Sequence, residues 1–259
     1  MKLSKRRLLG QHMLKDGRIV EKLIEATEIT ENETVYEAGT GEGTLTNELC
    51  KRAKSVVSFE IDHGLFEKSY SELMSAFLNL ELINGDFFEF PYFDFDVFIS
   101  NLPYSRSRDA LQWLAFQKFN RAILTVQKEF ADKLQARPGD EKYRSITVIS
   151  QHCFTIKELF HVSKGSFDPQ PDVESTVIKL IPRKPAIPIT RATIMNLNLL
   201  FSCRKRKTLS VLKKYNCKID FEGKERIGEL QPIQLMNLAE SMCNSAPCRH
   251  LSLCPKYTT

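Results

Sequence analysis

The sequence predicts an α/β protein, a largely parallel sheet with helices on both faces, followed by a small helical domain. Three observations carry that prediction. A β-like run, Thr34–Ala38, leads without a break into Gly39-Thr40-Gly41-Glu42-Gly43-Thr44 and then a helical stretch. Short apolar runs alternate with helical patterns five times in succession, the arrangement that builds a parallel sheet. After Pro182, Pro185 and Pro188 strand patterns cease and helical spacing takes over, which places a domain boundary there: 1–182, then 183–259.

The elements follow in chain order. Asp16 is placed to cap a helix on which Ile19, Val20, Leu23 and Ile24 share a face. The first strand, Thr34–Ala38, runs into the glycine-rich turn and a helix over 45–52. A turn of this kind lets backbone approach a ligand closely, with free N–H groups aimed at it. The spacing is G-x-G-x-G, not the G-x-G-x-x-G of dinucleotide folds, so a nucleoside ligand without a pyrophosphate fits better.

The second strand, 55–62, carries Glu60, nineteen residues after Gly41, where an acid accepts hydrogen bonds from ribose hydroxyls in doubly wound folds. A helix over 64–77 leads to a third strand, 80–83, closed by Asn84-Gly85-Asp86. Asp86 is thus a second acid at a strand end; the same residue is also a good turn former. The fourth strand, 96–100, ends in Asn101-Leu102-Pro103-Tyr104, and a helix with Trp113 on its core face follows. A fifth strand, 122–126, precedes a helical segment over 127–134. Residues 143–154 read as helix. Phe167 opens a run with two prolines, Pro169 and Pro171, that stiffens the chain before a strand over 176–181. Phe167 is there either a fixed aromatic wall or a core plug. The helical domain repeats Leu197, Leu200 and Phe201, then Leu209, Val211 and Leu212, with a last helix over 233–242.

The chemistry is expected at Asn101-Leu102-Pro103-Tyr104. Open α/β sheets bind ligands outside the C-terminal ends of their strands. Asn offers both a donor and an acceptor, Pro holds φ near −65°, and Tyr adds a flat π face with a polar tip. Together they suit a flat, amine-bearing substrate such as a nucleobase.

Composition bounds the rest. The chain has 259 residues, 42% hydrophobic and 27% charged, ample for a core. No apolar run has the length of a membrane span, and no secretion signal follows the basic start, so a cytosolic protein with no membrane partner is expected. Seven scattered cysteines read as reduced thiols. The tail spacing C-x4-C-x-H-x3-C, from Cys243 to Cys254, matches no usual zinc pattern, so no metal is expected. Charge is uneven. Residues 183–226 hold twelve Lys or Arg against three acids, a net +9, which leaves −4 for everything else. That asymmetry is what a nucleic-acid footprint looks like in sequence.

With these residues laid out, the chain resembles the ribosomal RNA adenine dimethyltransferases, over roughly residues 8–240. The resemblance rests on Gly10-Gln11-His12-Met13-Leu14, Glu37 to Gly43, Phe59 to Asp62, Gly85-Asp86, Asn101 to Tyr104, Gln127-Lys128-Glu129, the F-x-P-x-P-x-V-x-S run from Phe167 to Ser175, and Phe201 with Arg204, Lys205, Arg206 and Lys207. Archaeal members look most similar. The resemblance implies a Rossmann-like class I methyltransferase sheet and S-adenosyl-L-methionine as cofactor, used to dimethylate adenine N6 in the rRNA of the small ribosomal subunit during ribosome biogenesis. It implies that His12 and Leu14 border the cofactor, that Gly39 and Gly41 approach it, that Glu60 binds its ribose and Asp86 its adenine amino group. Asn101 would sit at the sulfonium and the target amine, with Tyr104 and Phe167 stacking on the two faces of the flipped base. Arg204 to Lys207 would bind rRNA phosphate. The family commonly has Asn and Phe where this chain has His12 and Met13, and an apolar-serine loop where it has Ser105-Arg106-Ser107-Arg108. A monomer is expected. The alternatives are a large-subunit rRNA adenine methyltransferase of the antibiotic-resistance type, a non-catalytic RNA-binding assembly factor, a small-molecule N-methyltransferase and a DNA adenine methylase.

Overall fold

The computed structural model describes residues 12–90, 94–185, 187–217, 219 and 221–244. Gly10, Gln11 and the tail with Cys248, His250 and Cys254 lie outside them, as do the motif and metal readings that fall there. Within the described residues the chain forms two compact units, Met1–Asp132 together with Phe154–Arg183, and Lys133–Cys153 together with Lys184–Thr259.

The first unit is built on a seven-stranded sheet. In chain order its elements are β1 (Met13–Leu14), α1 (Gly17–Thr27), β2 (Thr34–Ala38), α2 (Thr44–Cys50), β3 (Ser55–Glu60), α3 (His63–Leu73), β4 (Leu80–Asn84), β5 (Val97–Ser100), α4 (Ser107–Leu114) and β6 (Arg121–Gln127). Helix α5 (Lys128–Gln135) then leads out of it, and α6 (Ser145–Cys153) leads back to β7 (Phe154–Val162), β8 (Phe167–Asp168) and β9 (Ser175–Pro182). The sheet order is β4-β3-β2-β5-β6-β9-β7, with β2 to β6 parallel and β7 and β9 antiparallel to their neighbours. β2 pairs with β3 on one side and β5 on the other, so the winding reverses at β2/β5 and opens a crevice at their C-terminal ends.

The predicted elements form where their patterns place them. Asp16 caps α1 by accepting from the Arg18 amide at 3.1 Å, and Asp62 caps α3 through the Gly64 and Leu65 amides. Val35, Val56, Val97, Ile99 and Ile123 form a buried floor beneath α1 and α2, each fully buried aliphatic contributing about 1.5–3 kcal/mol. On the other face Trp113 packs in an aromatic cluster with Tyr36, Phe87, Phe95 and Phe98. Two features carry no sequence signal. Strand β7 hides because a register shift between Glu158 and Phe160 breaks its alternation. The two-residue β1–β8 pair, Met13 opposite Asp168 and Leu14 opposite Phe167, is too short to show a period.

The second unit differs from the sequence expectation, which gave all of 1–182 to the first domain. Residues 133–153 pack instead with α7 (Arg191–Ser202), α8 (Thr208–Lys214) and α9 (Pro232–Asn244). The reason is the apolar side chains of α6, which are buried in this unit: Val148 and Ile149 are buried, as are Leu197, Leu200, Leu235 and Met236. Tyr143 joins the same core, its hydroxyl donating to the Leu230 carbonyl at 3.1 Å and its ring meeting Phe201 edge-on.

Candidate active site

A cavity of about 240 Å³ opens at the C-terminal ends of β2, β3, β4 and β5, the crevice the topology defines. Its wall includes His12, Leu14, Gly39, Gly41, Glu60, Asp86, Asn101, Leu102 and Pro103. Nearly all the residues expected at a cofactor or target site are thus brought together, from five separate stretches of chain.

The glycine turn forms one side. Gly41 has φ +59°, left-handed backbone that favours glycine, and a Cβ there would lie 2.9 Å from the Met13 sulfur, so any side chain would strain the turn and displace the Met13 thioether. A buried network braces it from behind. Glu37, at 1% exposure, accepts from the Thr46 and Ser58 hydroxyls at 2.6 Å each, and the Thr40 hydroxyl meets Ser58 at 2.6 Å. The other Glu37 oxygen has no hydrogen-bond partner among the described residues. Burial pushes this carboxyl up to about 7, against the lowering effect of its two hydroxyl donors.

Glu60 stands at the end of β3, 3% exposed. One carboxylate oxygen accepts from the Gly41 amide at 2.8 Å and the other from the Asp62 amide at 2.8 Å. Burial raises its pKa, opposed by these two amides. A carboxylate has about four acceptor positions, so Glu60 keeps capacity for two hydroxyl donors at the cavity wall. That donor set fits a ribose.

Asp86 and Asn101 complete the wall. Asp86 accepts from the Phe88 amide at 3.1 Å and from Arg106 Nη2 at 2.7 Å. Asn101 directs its amide nitrogen to the His12 carbonyl at 3.1 Å, and its side-chain oxygen has no hydrogen-bond partner among the described residues. Tyr104 is not part of the cavity wall. It is half-buried beside it, its hydroxyl 2.6 Å from Ser175 Oγ, and burial raises its pKa. The His12 ring stacks on it with centroids 5.6 Å apart and planes at 24°, while His12 Nδ1 donates to the Pro169 carbonyl at 2.7 Å.

Phe167 needs correction. Of its two readings the structure selects the core plug: it is 1% exposed, pairs with Leu14 across β1–β8 and packs in the cluster with Val162 and Val177. No face of it is open to a base. The aromatic beside Tyr104 is His12 instead. Sequence reasoning also missed Arg106, which lines the cavity, as a site residue; its signal was two arginines alternating with serines, Ser105-Arg106-Ser107-Arg108, directly after the Asn-Leu-Pro-Tyr motif. In the second unit Lys205, Arg206 and Lys207 are exposed, whereas Arg204 is half-buried and donates to the Glu141 carbonyl at 2.8 Å. Arg204 therefore holds structure as well as charge.

The open parallel sheet, the glycine turn under a strand-end acid, and Asn-Leu-Pro-Tyr at the switch point define a class I methyltransferase. The comparisons narrow the class: the family model described as ribosomal RNA adenine dimethylase matches residues 2–240, and the chain belongs to that family. It is 36% identical over 202 residues to the ribosomal RNA small subunit methyltransferase A of Thermotoga maritima, covering 78% of this chain and 71% of the relative. It is 33% identical over 259 residues to the probable ribosomal RNA small subunit methyltransferase A of Methanococcus vannielii, covering 92% and 96%. Among solved structures, a dimethyladenosine transferase from Plasmodium falciparum superposes with a TM-score of 0.75 at 25% identity, covering 88% of this chain and 96% of that one. The 23S rRNA methyltransferase ErmE superposes with a TM-score of 0.61 at 26% identity, covering 89% and 99%. No helix among the described residues is long and apolar enough to cross a membrane.

Proposed function

We propose that the protein methylates adenine N6 in small-subunit rRNA, to the N6,N6-dimethyl product, with S-adenosylmethionine as methyl donor. The family membership supports the reaction class. The observation that carries the site is the amide of Asn101, whose nitrogen donates to the His12 carbonyl, so that its oxygen, without a hydrogen-bond partner among the described residues, can accept from a target amine.

The cavity residues divide the cofactor between them. Gly39 and Gly41 receive the methionine end, Glu60 the ribose hydroxyls and Asp86 the adenine amino group, with His12 and Leu14 along the border. When bound, the cofactor supplies an electrophilic methyl group. The target adenine must leave its stack to reach the site. It lies against Tyr104, whose ring is held by the His12 stack and the Ser175 hydrogen bond, a contact worth about 1–3 kcal/mol. The exocyclic amine is a poor nucleophile because its lone pair is delocalised into the ring. The Asn101 side-chain oxygen and the Leu102 carbonyl accept its two N–H bonds and favour a pyramidal nitrogen. Catalysis is then mainly positioning, and the proton leaves to water. Lys205, Arg206 and Lys207 hold rRNA phosphate, giving affinity without sequence readout.

The test is transfer of labelled methyl to isolated small subunits lacking the modification, wild type against Asn101→Ala, with the product digested to nucleosides. Label in N6,N6-dimethyladenosine, lost in the variant, supports the reading. No label on small subunits, with cofactor still bound, sinks it and moves the assay to large subunits.

A further inference from the structure

Among the described residues, Arg106 is the one Lys or Arg on the wall of the cavity. It closes the short turn Tyr104–Arg106 that follows Asn101-Leu102-Pro103, and its amide donates to the Pro103 carbonyl at 2.8 Å. Its guanidinium lies over the Phe88 ring at 4.4 Å, and Nη2 donates to Asp86 Oδ2 at 2.7 Å. Another nitrogen of the fork, Nε, is buried 3.9 Å from the Asp109 carboxylate, too far for a hydrogen bond, and has no hydrogen-bond partner among the described residues. The side chain is therefore drawn to Asp86 and Phe88 at the cost of an unsatisfied donor. Arg106 and Asp86 are twenty residues apart and arrive from different strands, so this ion pair joins the loop after β5 to the turn after β4.

The consequence falls on Asp86. A carboxylate on a turn can rotate about its last torsion. Here Phe88 N holds one oxygen and Arg106 holds the other, so the plane is set and only the remaining lone-pair directions can meet a ligand. Resting on the cofactor reading above, we propose that Arg106 is a positioning residue: it orients Asp86 toward the amino group of the cofactor's adenine and so sets both affinity for the cofactor and preference for an amino-bearing base.

The experiment compares full-length wild type, Arg106→Met and Arg106→Lys, without RNA. Calorimetry measures binding of S-adenosylhomocysteine and of its hypoxanthine counterpart, in which an oxo group replaces the amino group and offers Asp86 an acceptor where it needs a donor. Arg106→Met keeps an apolar stem over Phe88 and loses the charge. Its affinity for S-adenosylhomocysteine falls about tenfold, and its preference over the hypoxanthine compound narrows several-fold. Arg106→Lys, charged but unable to lie flat on Phe88, falls between, and serves alone if the Met variant does not fold. In turnover the loss appears in KM for the cofactor more than in kcat. Folded variants with wild-type affinity and unchanged base preference overturn the proposal and leave Arg106 a staple of its loop. A wild type that binds neither compound overturns the cofactor reading itself.

Discussion

Asn101 shows how little a single side chain needs in order to be committed. Its nitrogen donates to a backbone carbonyl 3.1 Å away, and on the proposed reading that contact decides which end of the amide meets the target amine. Asn101→Ala removes the acceptor, and transfer is expected to fall at least about a hundredfold in single-turnover assays. Phe167 makes the opposite case. Because it is core and not wall, Phe167→Leu should cost about 1–2 kcal/mol of stability by denaturant titration and leave turnover near wild type. Loss of turnover without loss of stability would return Phe167 to the site. The places of Asn101, Glu60 and Asp86 at the crevice were legible because each stands at or just beyond the end of a strand. That of Phe167 was not, because an aromatic beside a proline run can face either way until β1 pairs with β8 and decides.

The turn after β2 is held as a unit, and its weak point is Glu37. Its carboxyl titrates near 7 in the folded protein and near 4.5 when unfolded. Between those values the native state binds more protons, so stability falls as pH rises through about 7, and the contribution is complete only below about 4.5. Glu37→Gln should flatten this slope, gaining on the order of 2 kcal/mol relative to wild type between pH 5 and 8 in thermal or urea melts. The opposite sign is expected where β6 begins. Arg121 grips Glu33 with both terminal nitrogens, at 2.7 and 2.8 Å, and lowers that carboxyl to about 2. This stabilisation is present above about 4.5 and is lost as pH falls through about 2, so Glu33→Gln should cost near-neutral stability and nothing in strong acid. Screening at this rim keeps the cost to about 1–2 kcal/mol.

Over the whole molecule, charge and chemistry occupy different parts of the chain. Of the net +9 of residues 183–226, all but the charge of Arg183 lies outside the unit that holds the cavity. Replacing Lys205, Arg206 and Lys207 together with alanine should weaken rRNA binding, and the slope of log affinity against log salt should fall by about 2. Affinity for S-adenosylhomocysteine should not change. A variant that keeps its salt dependence would mean that other cations carry the phosphate contacts.

Local patterning decided most of the fold here. Apolar runs of strand length, capping aspartates and a glycine turn are signals confined to a few neighbouring residues, and they place the parallel strands, their helices and the acids at the strand ends. Three matters required the packed molecule. Residues 133–153 join the C-terminal helices because the apolar face of α6 is covered there, which no reading in chain order reveals. Phe167 is buried because a two-residue strand pairs across more than 150 positions. Arg106 meets Asp86 because β4 and β5 end at the same crevice. Each depends on which distant segments share a surface, and that is set by the competition among all apolar faces for cover and not by any local period.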